Sequence, residues 1–172
     1  MTETQIVARL TGATLPDVTL NATDGTSVAL ARLEGLTVIY AYPRTSPPDA
    51  APIPGWDEIP GARGCTPQSC GFRDHHAALL RAGVDRVFGL STQSTAYQSE
   101  MAQRLHLPFA VLSDVDLALR DALDLPFFEA GGMTLLSRLT LIVTDNTITQ
   151  VLYPVSDPAA QAQQIEAALT GA

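Results

Sequence analysis

Residues 64–90 begin Gly64-Cys65-Thr66-Pro67-Gln68-Ser69-Cys70-Gly71-Phe72-Arg73-Asp74 and end Gly83-Val84-Asp85-Arg86-Val87-Phe88-Gly89-Leu90. The first part predicts a helix over Cys65 to Ala82, stopped by Gly83. Val84 to Leu90 then reads as a buried strand. Upstream, Thr37 to Tyr42 is β-branched and apolar on both faces, which suits a central strand, and it ends at Pro43. Strand, helix and strand in this order form the crossover unit of α/β proteins.

The same punctuation extends outward. Val18 to Leu20 and Ser27 to Leu30 flank Asp24-Gly25 and predict an N-terminal hairpin. Ser94 to Leu105 reads as a helix, Phe109 to Leu112 as a short strand and Asp116 to Leu123 as a short helix. Leu139 to Val143 is a further buried strand. It turns through Asp145-Asn146 into Thr147 to Tyr153, and Asp157 is the expected cap of an Ala-rich helix ending near Leu169. The expectation is one α/β domain over residues 1–172, with a mostly parallel sheet, helices on both faces and an N-terminal hairpin. Six prolines fall between Pro43 and Pro60, with Gly55 and the sole tryptophan, Trp56. That stretch reads as a long irregular loop, of the kind that usually serves function.

Composition narrows the chemistry. The chain has 172 residues, 18 acidic and 10 basic side chains and a net charge of −8, which disfavours nucleic acid and anionic membranes as partners. All ten basic residues are Arg, so a phosphate loop, a Schiff base and a Ser-Lys dyad are excluded. The longest clean apolar run, Leu36 to Tyr42, falls far short of the roughly 20 residues of a membrane span. Met1 to Leu10 lacks the pattern of a signal peptide, and a cytoplasmic location is the expectation. In a reducing compartment, two cysteines read as reactive or metal-binding rather than as a permanent staple.

A cysteine in the first helical turn sits among unpaired N–H groups at the positive end of the dipole, and both favour a thiolate. Pro67 fits the same placement, since proline is tolerated in the first turn. Cys65 is therefore the expected reactive thiol, with Cys70 one turn deeper. Five residues of helix separate the two Cα atoms by about 8.6 Å. A disulfide needs roughly 7 Å or less, so closing one requires the first turn to unwind. A zinc set of Cys65, Cys70, His75 and His76 is disfavoured because adjacent histidines diverge on a helix. His75 and His76 are read as helix surface, and His106 as a loop residue.

Gly64 through Asp74 resembles the active-site motif of the Q-type peroxiredoxins, also called bacterioferritin comigratory proteins. Leu15 to Leu20 with Asp24-Gly25, Val38 to Pro43, Phe109 to Asp114 and Arg138 to Val143 resemble further family segments, in order along nearly the whole chain. The resemblance implies a thioredoxin-like fold and a thiol peroxidase acting on hydrogen peroxide and organic hydroperoxides. It assigns Cys65 as the peroxidatic cysteine, Cys70 as the resolving cysteine and Arg138 as the thiolate-stabilising arginine. Pro43, Thr66 and Gln68 take supporting positions. It implies a thioredoxin-like reductant and no metal, haem or flavin. A monomer is expected, because the cysteines pair within one chain, with a dimer as the alternative.

Two departures stand out. Pro43 precedes Cys65 by 22 residues where the family pattern has seven, which marks an insertion at about residues 44–60. Ala62 stands three residues before Cys65, where the family has Thr or Ser, and Thr45, Ser46 and Thr66 are the candidate replacements. The inserted loop is expected to pack over the active site with Trp56 near the Cys65 helix. The rival functions are a thioredoxin-fold redox sensor or disulfide reductase, and a non-enzymatic interaction module that uses this loop. Four residues between the cysteines, rather than two, count against the reductase.

Overall fold

Side chains alternate along β3 (Leu36–Ala41), and this alternation divides the interior into two cores. Ile39 and Ala41 join one, and Val38 and Tyr40, with Tyr42 just beyond the strand, join the other. The structure is a computed structural model that describes residues 2–46, 53–59 and 61–171. The first core is covered by α1 (Glu3–Leu10) and α4 (Ala118–Leu123), through Ile6, Leu10, Leu119 and Leu123. The second is covered by α2 (Cys65–Arg81), α3 (Thr95–Arg104) and α5 (Gln161–Thr170), through Phe72, Leu79, Met101 and Ile165. Both faces of the sheet thus carry helices, as expected.

The remaining strands are β1 (Thr19–Ala22), β2 (Ser27–Ala29), β4 (Arg86–Ser91), β5 (Val111–Ser113), β6 (Phe127–Ala130), β7 (Met133–Leu136), β8 (Leu139–Thr144) and β9 (Thr147–Leu152). Six of them join β3 in one seven-stranded sheet in the order β2-β1-β5-β4-β3-β8-β9, while β6 and β7 pair separately. The expected N-terminal hairpin is β1–β2, with Leu20 opposite Val28.

The expectation of a mostly parallel sheet is corrected. Only β3–β4 and β4–β5 run parallel, and the other four pairings are antiparallel. The alternating pattern implied crossovers between parallel strands as far as the Leu139 strand. Instead β8 arrives from the β6–β7 hairpin, enters beside β3 in the opposite sense, and turns back into β9. Asp157 also differs from its expected role. It precedes a 3-10 turn, Pro158–Ala160, and makes no side-chain cap. Among the described residues, no helix is long and apolar enough to cross a membrane.

Candidate active site

Cys65 is the first residue of α2 and is 5% exposed. Gly64 caps the helix with φ 104°, a left-handed conformation that glycine adopts without strain. The first helical hydrogen bond runs from Gln68 N to Gly64 O at 2.9 Å, so Pro67 occupies a position whose missing N–H costs nothing. Cys70 lies in the same helix, is partly exposed, and both thiols are free. The two cysteines are therefore held in the helical geometry that keeps them unbonded.

Arg138 immediately precedes β8 and is 3% exposed. Its Nη2 donates to Cys65 Sγ at 3.1 Å, to Arg63 O at 2.9 Å and to Ala62 O at 3.3 Å. Its Nη1 donates to Gln68 Oε1 at 2.6 Å. Among the described residues, no ion pair includes Arg138. Its charge is therefore not cancelled by a carboxylate partner and is directed at sulfur and neutral oxygens. Ala62 supplies no hydroxyl. Its carbonyl faces the site instead and accepts from the Cys65 thiol at 3.7 Å.

Gln68 is fully buried, and its Nε2 donates to Gln161 Oε1 at 2.8 Å. Thr140 Oγ1 donates to the same oxygen at 2.7 Å. A chain of hydrogen bonds thus runs from Cys65 through Arg138 and Gln68 to Gln161 and Thr140. Sequence reasoning gave neither of the last two a role, although Thr140 lies in the segment that resembles the family strand beginning at Arg138. Thr140 was findable, because it lies two residues from Arg138 and so shares its face of the strand. Gln161 carries no such signal, since a polar residue opening a helix is ordinary.

The other expected residues lie around this chain. Pro43 is buried next to Tyr42, whose N–H bonds Leu90 O at 3.0 Å. Burial holds the Tyr42 phenol well above the usual tyrosine range, and a negative charge on nearby Cys65 acts in the same direction. Thr66 is half-buried in the first turn of α2. Thr45 and Ser46 are tied through their backbone toward α3. Tyr97 Oη donates to Thr45 O at 2.8 Å and Arg104 Nη2 to Ser46 O at 3.4 Å. The structure thus shows no hydrogen bond from either residue to Cys65. His75 Nδ1 faces Glu166 of α5 at 3.4 Å, and the His76 ring lies beside Phe109.

Residues 47–52 and 60 of the expected insertion lie outside the described residues. In the described part, Trp56 opens a short 3-10 turn and its ring lies 6.1 Å from that of Phe128 on β6. Ile53 packs near Gly131 in the β6–β7 turn. The expected neighbour of Trp56 was the Cys65 helix, whereas its aromatic partner belongs to the small hairpin that leads to Arg138.

The Redoxin family profile matches residues 10–169. The chloroplastic peroxiredoxin Q of Sedum lineare is 33% identical over 150 residues, covering 86% of this chain and 71% of that protein. That of Oryza sativa subsp. japonica is 33% identical over 143 residues, and the chain spans only 58% of its length while 83% of the chain is aligned. A solved structure of the Xanthomonas campestris bacterioferritin comigratory protein, described with its alkyl peroxide reduction activity, has 25% identity and a TM-score of 0.69. The match covers 91% of this chain and 95% of that one.

Proposed function

The chain belongs to the Redoxin family and, within it, to the Q-type peroxiredoxins, and from that premise we propose that it is a thiol peroxidase with Cys65 as nucleophile. The observation that carries the reading is the 3.1 Å contact from Arg138 Nη2 to Cys65 Sγ at a buried helix start. The Cys65 thiolate attacks the terminal oxygen of a hydroperoxide. The S–O bond forms as O–O breaks, and the departing alkoxide or hydroxide takes a proton to leave as alcohol or water. Arg138 stabilises the charge that moves from sulfur to oxygen. The Cys70 thiolate then attacks the sulfenic sulfur, the S–S bond forms as S–O breaks, and the departing hydroxide takes a proton to leave as water, giving a Cys65–Cys70 disulfide. A dithiol of the thioredoxin type returns two electrons and restores both thiols.

Residues 1–172 act as a single domain in this reading, and hydrogen peroxide and organic hydroperoxides are both substrates. Pro43 and Thr66 border the nucleophile, and Gln68 supports Arg138. A monomer suffices, because nucleophile and resolving thiol share one helix. The cycle needs a compartment supplied with reduced dithiol. The cytoplasm meets that need, as does the plastid named for the plant relatives.

The test is peroxide consumption coupled to thioredoxin, thioredoxin reductase and NADPH. Cys65→Ser abolishes turnover. Cys70→Ser keeps one fast oxidation and loses thioredoxin-supported cycling. Absence of turnover by the wild-type chain with both hydrogen peroxide and cumene hydroperoxide would overturn the proposal.

A further inference from the structure

Gln161 belongs to α5, an element that carries none of the residues singled out by sequence, yet it stands at the far end of the hydrogen-bond chain from Cys65. A glutamine amide has one accepting and one donating end, so its function depends on which way it faces. Arg138 Nη1 donates to Gln68 Oε1, which leaves Gln68 Nε2 pointing away from the guanidinium and in need of an acceptor. Gln161 Oε1 is that acceptor. Gln161 is itself oriented, because Thr140 Oγ1 donates to the same oxygen. Gln68, Thr140 and Gln161 are all 3% exposed or less, so exchange with water offers little substitute for these bonds.

The backbone explains how Gln161 reaches this place. Gly64, Gln68 and Gly71 follow one another at intervals of four and three residues and so form one stripe of α2. A Cβ at Gly64 would stand 2.9 Å from Pro158 Cγ, and one at Gly71 would stand 2.7 Å from Ala159 O. The missing side chains let the Pro158–Ala160 turn sit directly on the helix. The next residue, Gln161, then lies over Gln68.

We infer that Gln161 is a positioning residue: it fixes the orientation of the Gln68 amide and, through it, the placement of Arg138 against Cys65. This rests on the thiol peroxidase reading above. Without an acceptor at position 161, Gln68 Nε2 is left buried and unpaired, and only the bond from Arg138 still opposes a flip of the amide. The flip turns Nε2 toward the guanidinium, donor against donor, and Arg138 must shift. A displacement of an ångström or less in a charged group at a reacting atom is enough to be read in the rate.

The experiment uses the symmetry of a carboxylate. Gln161→Leu and, as a second apolar variant in case the first folds poorly, Gln161→Met are each made in the wild-type chain and in Gln68→Glu. A carboxylate at position 68 offers an accepting oxygen to Arg138 whichever way it turns, so it needs no orienting partner. The second-order rate of Cys65 oxidation by hydrogen peroxide is measured by rapid mixing, with thermal stability recorded beside it. In the wild-type chain either substitution lowers the rate by about tenfold. In Gln68→Glu the same substitution changes it less than about twofold. Equal losses in the two backgrounds would show a merely structural role and overturn the inference, as would an unchanged rate in the wild-type background. A wild-type chain that does not react with peroxide at all would instead defeat the thiol peroxidase reading, a different result from either of these.

Discussion

On one flank of Cys65, Arg138, Gln68, Gln161 and Thr140 are each 3% exposed or less and joined by hydrogen bonds. On the other flank the ion pair recorded between Asp57 and Arg63 spans 3.5 Å, with both side chains about three-quarters exposed at 75% and 74%. The first flank is made from a strand and two helices whose positions follow from the packing of the second core. The second belongs to the end of the long loop, where the side chains make a surface ion pair, an aromatic pair and an apolar approach of Ile53 to Gly131. Charge in the buried flank acts at short range and with little screening, whereas the exposed pair is screened by water and salt. The chemistry should therefore depend steeply on the first flank and weakly on the second.

The largest effect is expected at Arg138. Arg138→Ala removes the only side-chain donor to Cys65 Sγ among the described residues and leaves Gln68 Oε1 without its donor. The rate of peroxide reaction should fall by about 10²–10³-fold, as for loss of one fixed donor at a developing charge. Arg138→Lys should recover only part of it, because an ammonium cannot reach Gln68 and Cys65 with two ends of one fork. A loss of less than tenfold in Arg138→Ala would break the comparison, since the buried flank would then matter no more than the exposed one.

Next comes Gly71. Ala is the better helix former by up to about 1 kcal/mol. Its Cβ would nevertheless meet the backbone oxygen of Ala159 at 2.7 Å, a contact that only a shift of backbone can relieve. Overpacking of this kind costs about 1–3 kcal/mol, so the clash wins. Gly71→Ala should lower the melting temperature by a few degrees and also slow peroxide reaction, because the Pro158–Ala160 turn carries Gln161 with it. An unchanged melting temperature in thermal unfolding would contradict the close docking.

How far this was legible follows from the kind of signal each residue emits. The α2 helix was expected over Cys65 to Ala82 and runs Cys65–Arg81, because proline near its start and glycine after its end are local signals. The buried strands β3, β4 and β8 were found from apolar runs, with ends shifted by a residue or two. α1 is absent from the sequence reading although Thr2 and Gln5 form a capping box, a local signal of a helix start. Strand direction was not legible. It depends on where β8 docks, and nothing local to Leu139–Thr144 says that β3 is its partner. Cys65, Gln68 and Arg138 came from a motif and a resemblance, and the structure brings them together. Gln161 was invisible because its role arises from the close approach of two helices that brings together residues 93 apart in sequence, which no spacing rule records.

A third prediction sharpens the buried flank by pH. The Tyr42 hydroxyl is buried and has no hydrogen-bond partner of good geometry among the described residues, and burial raises its pKa well above 10. The unfolded chain therefore loses this proton first. Its contribution to stability is fully present below about pH 10 and is lost as pH rises from there toward the folded value. At pH 11 one such group favours unfolding by about 1.4 kcal/mol. Tyr42→Phe should cost little at pH 7 and should reduce the alkaline loss of stability by about that amount. Denaturant midpoints at pH 7 and pH 11 check it, and an identical pH 11 loss in both proteins would show that Tyr42 ionises freely in the fold.

The smallest effects are expected on the exposed flank, and they set the other limit of the comparison. An exposed ion pair contributes less than about 1 kcal/mol, so Asp57→Ala should leave the peroxide rate within about twofold and barely move the melting temperature. Trp56 supplies an optical readout of the same region. Short turns link it to the site, with Ile59 N bonded to Trp56 O at 3.2 Å and Ala62 N to Ile59 O at 3.1 Å, and the Ala62 carbonyl touches both Arg138 and Cys65. Its ring environment, however, is set by Phe128 at 6.1 Å on the separate β6–β7 hairpin. Closing the Cys65–Cys70 bond must unwind residues 65–70, but Gly61 and Gly64, both at positive φ, can absorb much of that rotation before it reaches Trp56. Oxidation should therefore change Trp56 emission by less than Phe128→Ala does in the reduced protein. Since Trp56 is the only tryptophan, the two spectra can be compared without correction. A larger change on oxidation, lost in Cys70→Ser, would mean that the loop moves with α2, and the two flanks would then be one mechanical unit.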